Sequence, residues 1–67
     1  MNLTKRENEV LEHLQSGYSD KEIADKMFIT LSAVKFHIHN MLTKSNLKSR
    51  TQLVLLFERS NKLFDKN

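Results

Sequence analysis

Proline is absent from this 67-residue chain, and glycine occurs once, at Gly17. Strands in a domain this small must reverse direction at turns that draw heavily on those two residues. Without them the chain is confined to helices joined by short breaks, and the expected fold is all-α, a compact four-helix domain containing a helix-turn-helix.

Helix starts are written in the sequence. Thr4–Glu7, Ser19–Glu22 and Ser49–Gln52 each place a hydroxyl three residues ahead of an acid or amide, the spacing at which the two side chains cap each other's backbone N–H groups. Thr30 is a further N-cap, with no reciprocal partner at Ala33. Gly17 suits the left-handed residue that closes a first helix, and Asn46 suits the same role after the third. The spacing predicts helices over 5–16, 20–27, 31–45 and 50–60, with frayed ends at 1–2 and 61–67. Apolar stripes agree: Val10, Leu11 and Leu14; Ile23, Ala24 and Met27; Leu31, Val34, Ile38, Met41 and Leu42. Each helix is too short to stand alone, so the stripes must meet in one core.

Size and charge narrow the function. One domain, 1–67, buries only about 60% of the surface its unfolded chain exposes, which leaves no room for a protected catalytic pocket. No serine has a defensible histidine and acid beside it, no glycine-rich phosphate loop exists, and an enzyme is not expected. Cysteine is absent, so disulfides and thiolate metal sites are excluded. His37 and His39 lie two apart on a helix and diverge, whereas metal pairs sit three or four apart, so neither a metal nor another cofactor is expected, nor a small-molecule ligand. No apolar run approaches the roughly 20 residues of a membrane span, and MNLTKRENEV lacks the apolar stretch of a signal peptide; a cytoplasmic, nucleoid-associated location is expected.

Net charge is +3, a weak total, but it is clustered. No acid lies between Asp25 and Glu58, while Lys26, Lys35, Lys44, Lys48 and Arg50 do. Such a stretch attracts a polyanion. At about 100° per residue, Ser32, Lys35, Phe36, His39 and Thr43 share the third helix's outer face, with Asn40 at its edge and the core stripe opposite. Phe36 sits on that polar face without an evident core role, unless the helix is rotated so that it meets a neighbour. An exposed apolar group can meet a thymine methyl in the major groove, and lysine can donate to guanine. Phe28-Ile29-Thr30 forms the short break of a helix-turn-helix, without the glycine often found there.

The run LTKRENEVL, Gly17, YSDKEIADKMFIT, LSAVKFHI and LKSRTQ resembles the LuxR/GerE-type DNA-binding domain of bacterial transcription regulators, found also as the output domain of many response regulators. The match covers about residues 3–57. It rests on Leu3-Thr4, Arg6-Glu7, Glu9-Val10-Leu11, Gly17, Lys21-Glu22-Ile23-Ala24, Ile29, Val34-Lys35, His37, Lys44 and Arg50-Thr51-Gln52 in order. The resemblance implies that the third helix enters the major groove, with Lys35, Phe36 and His39 reading bases. It implies backbone contacts from Lys21, Thr30, Ser32, Lys44 and Lys48, and dimer contacts from the fourth helix. Three departures stand out. Ala33 replaces a usual threonine, Ser45-Asn46 replaces Leu-Gly and should loosen or shift the third helix's end, and Leu53 replaces a frequent alanine.

Five consecutive apolar residues, 53–57, exceed what one helix can direct into a small core. Either a twofold partner covers the excess, with Val54, Leu55, Glu58 and Arg59 at the interface, or Leu63 and Phe64 close a larger core. Glu7 and Glu22 are expected to act as caps, one of them pairing with Arg50, for which the alternative is a direct DNA contact. The expected function is sequence-specific double-stranded DNA binding, by a regulator or its detached output domain. It would act as a homodimer, held together on DNA if nowhere else, with RNA polymerase a further candidate partner. The rivals are a sigma-factor-like promoter-binding module and a protein-interaction module that uses the 53–57 helix.

Overall fold

The computed structural model describes residues 2–65, with side chains to residue 58. Four helices follow one another: α1 (Lys5–Gln15), α2 (Asp20–Met27), α3 (Leu31–Ser45) and α4 (Arg50–Asp65). The backbone of α4 continues five residues beyond the expected end at 60, because 61–65 contain no residue that stops a helix. The expected fraying at 1 and 66–67 lies outside the described residues.

The caps form as spaced. The Thr4 and Ser19 hydroxyls accept from the N–H groups of Glu7 and Glu22, and both carboxylates accept from the capping residue's own N–H. Thr30 accepts from Ala33 N–H at 3.0 Å. At Ser49 only half of the box is made: its hydroxyl accepts from Gln52 N–H, whereas Gln52 Oε1 accepts from Lys48 N–H, one residue upstream.

Three helices end the same way. A left-handed residue sits just past the end, Gly17 at φ 90°, Phe28 at φ 57° and Asn46 at φ 57°. The N–H groups of Tyr18, Ile29 and Leu47 reach back to the carbonyls of His13, Ala24 and Leu42 at 3.0–3.2 Å. This closure satisfies the last carbonyls and turns the chain sharply. The expected loosening at Ser45-Asn46 is absent. Asn46 takes glycine's role, and the Ser45 hydroxyl donates to Met41 O at 2.7 Å.

The core holds Val10, Leu11 and Leu14 of α1, Ile23, Ala24 and Met27 of α2, Val34, Ile38 and Met41 of α3, and Leu53 of α4. Leu42 packs at its margin. Leu31, expected in the same stripe, is 42% exposed. It is the first residue of α3, whereas Ile29 from the turn packs against the core. α3 touches all three other helices; its inner side is therefore fixed, and only its outer face is free.

Candidate nucleic-acid interface

The outer face of α3 stands clear of the rest of the molecule. Ser32, Lys35, Phe36, His39 and Thr43 are all exposed, and Asn40 is half-buried at the edge. Val34, Ile38 and Met41 are buried on the opposite side, so the helical phase expected from the sequence is the observed one. Phe36 is 62% exposed, and its ring forms a T-shaped pair with that of the adjacent His37, 6.0 Å between centroids. An aromatic left in water costs hydrophobic free energy that only an external contact recovers.

Electrostatics favour an anion at the start of this helix. α1 and α2 carry acids in their first turns, whereas α3 carries none. No acid in its own first turn offsets the positive end of its macrodipole, and the same holds for α4. Thr30 caps with its oxygen and keeps its hydroxyl proton available to donate. Ser32, Lys21 and Lys48 are exposed. Lys44 is also on the surface, but its Nζ lies 2.6 Å from Glu7 Oε1. Among the described residues, no three of His, Asp and Glu gather as metal ligands would, and no helix is long and apolar enough to cross a membrane.

Two ion pairs brace the helices around α3. Glu7 is the buried charged residue of the core, at 3% exposure. Burial pushes its carboxyl up, but the Lys44 ammonium and the Thr4 backbone N–H hold it below the ordinary glutamate range. Arg50 pairs with Asp20, through two donor nitrogens on two carboxylate oxygens, and not with Glu7 or Glu22 as expected. Those two carboxylates already accept from their own caps, while Asp20, at the first position of α2, faces the start of α4. The Arg50 hydrogen bonds outweigh burial and hold Asp20 below the usual aspartate range, with Lys35 adding to the effect. Pattern reading missed Asp20 because its partner is 30 residues away. It also missed Tyr18, whose ring carries the Lys26 ammonium at 4.3 Å and meets His13 edge-on.

On α4, Leu53 is buried and Val54 and Phe57 pack at the core's margin. Leu55 and Leu56 turn outward, 55% and 37% exposed. Leu55 is a ridge between two shallow hollows, one against Tyr18 and Gly17 at the end of α1, the other beside Leu47 and Gln52. Glu58 is half-buried at the first hollow; the side chains of Arg59, Leu63 and Phe64 lie outside the described residues.

The family description for bacterial regulatory proteins of the luxR family matches residues 1–57, the whole of this scaffold through Phe57. The chain belongs to the LuxR family. LuxR-family helix-turn-helix domains bind double-stranded DNA and regulate transcription. The chain is 46% identical over 52 residues to the transcriptional regulatory protein YxjL of Bacillus subtilis, across 78% of this chain and 24% of that protein. It is 42% identical over 59 residues to the transcriptional regulatory protein LiaR of the same organism, across 88% of this chain and 28% of LiaR. It is 44% identical over 52 residues to the oxygen regulatory protein NreC of Staphylococcus epidermidis, across 78% of this chain and 24% of NreC. A crystal structure of ChrA, the response regulator of a heme-sensing two-component system, superposes with a TM-score of 0.83 at 30% identity, over 91% of this chain and 30% of ChrA. This LuxR-family chain therefore spans about a quarter of the length of those relatives.

Proposed function

We propose that this domain binds double-stranded DNA sequence-specifically and regulates bacterial transcription, with α3 in the major groove. The observation that carries the reading is the bare outer face of α3: a lysine, a phenylalanine and a histidine exposed together on a helix whose other side is locked into the core. Lys35 donates to guanine O6 and N7, Phe36 meets a thymine methyl, and His39 offers a ring N–H to a base edge. Lys21, Thr30, Ser32 and Lys48 meet phosphates and set the register without choosing the sequence.

Two copies bind two half-sites about 10 bp apart, one helical turn, so that both reading helices enter the same side of the duplex. The outward Leu55 and Leu56, with Val54, Glu58 and Arg59, form the twofold contact. As an isologous surface, the Leu55 ridge of one copy faces the hollow of the other. Selection of bound duplexes from a random pool tests the reading. A motif with two inverted halves about one turn apart supports it; recovery of duplexes without common sequence rejects it.

A further inference from the structure

Lys44 belongs to the same basic run as Lys35 and Lys48, and its charge alone would place it on a phosphate. Its position does not. Lys44 lies nine residues after Lys35, so at about 100° per residue it points to the opposite side of α3. Its Nζ is 2.6 Å from Glu7 Oε1. The same oxygen accepts from Thr4 N–H at 2.9 Å, and Glu7 N–H donates to Thr4 Oγ1. The carboxylate is therefore embedded in the cap of α1, with the ammonium of α3's last turn as its counter-ion. A carboxylate this deeply buried is costly without such a partner.

We propose that Lys44 is a positioning residue for the reading helix, acting through Glu7, and not a phosphate contact. The proposal rests on the DNA-binding reading above. The last turn of α3 is held at three points: Met41 in the core, Lys44 on Glu7, and the left-handed Asn46 closure. Together they fix the roll of α3 about its own axis. A roll of about 20° moves a side-chain tip roughly 6 Å from that axis by about 2 Å. That is enough to break a base contact at Phe36 or His39 while leaving diffuse attraction to phosphates intact.

The test uses the whole chain, a duplex selected from a random pool by the wild type, and a scrambled duplex, each titrated across a salt series. Lys44→Met is expected to weaken the selected duplex about tenfold, within the range of one disturbed base contact, and to leave the scrambled duplex and the salt slope unchanged. A slope lower by about 0.9 on both duplexes would mean a lost phosphate contact and overturns the proposal. The Glu7→Gln/Lys44→Met pair removes the buried charge and is expected to regain most of the discrimination; two folded variants with no regain also overturn it. If Lys44→Met does not fold, NMR of the wild-type lysine ammonium groups decides: added selected duplex should shift Lys35 and leave Lys44 in place, and an equal shift at Lys44 refutes the assignment. If the wild type itself fails to discriminate duplexes, the DNA reading falls. The ion pair is then judged without DNA: Glu7→Gln must shift the Lys44 ammonium signal, and an unmoved signal rejects the pairing.

Discussion

Phe28 shows how a single residue can be at odds with its place. It adopts φ 57° and ψ 43°, almost the angles of Asn46, which are φ 57° and ψ 37°. A side chain other than glycine or asparagine costs about 1–2 kcal/mol there, and Phe28 recovers none of it by packing, being 94% exposed. Phe28→Asn is therefore expected to raise stability by about 1 kcal/mol in thermal or urea unfolding; a loss instead would show that the ring packs on something. The absence of glycine from the break was readable in the sequence, and a three-residue turn with no glycine obliges another residue to take the left-handed angles. Which residue does so, and that its ring stays in water, depends on where α3 docks. Phe36 is the opposite case. Its lone apolar place on a polar face was legible from spacing alone, and the structure leaves it bare as that spacing required.

At the scale of elements, the helix ends matter as much as their stripes. Gly17 closes α1 at φ 90°, and a Cβ placed there would meet nothing within 4 Å. Gly17→Ala should thus cost backbone strain alone, about 1–2 kcal/mol, measured as a lower urea midpoint at unchanged m-value; no change would mean that the turn relaxes freely. The outward part of α4 carries a different prediction. Leu55 contributes little to its own core, so Leu55→Glu should alter the domain's stability by no more than about 0.5 kcal/mol. On a duplex carrying both half-sites, sedimentation should fall from two bound copies to one. Two copies still bound with undiminished affinity would exclude this surface as the contact. The helix starts and most of the caps were readable because they are local, although α4 runs past its expected end and the Ser49 box is half made. The Arg50–Asp20 partnership and the exposure of Leu31 were not, since each is decided by how helices distant in sequence meet.

For the molecule as a whole, the two depressed carboxylates held in ion pairs between helices link stability to pH. Glu7 and Asp20 bind protons less readily in the folded chain than in the unfolded one. Their contribution is complete above about pH 5 and fades as pH falls through their lowered values. Melting temperature should drop steeply below about pH 5, and Glu7→Gln, less stable at pH 7, should flatten that drop; an unchanged acid limb would detach Glu7 from it. The four-helix architecture and the bare face of α3 were legible because periodicity fixes which side of α3 is buried. The bracing of that face by Glu7 and Asp20 was not, because charge pairs far apart in sequence leave no pattern. The proposed function rests on the bare face. The most direct measurement is the ratio of affinities for selected and scrambled duplexes in Lys35→Ala and Phe36→Ala. If the face reads bases, each variant loses about 1–3 kcal/mol on the selected duplex and almost nothing on the scrambled one; equal losses on both would contradict it.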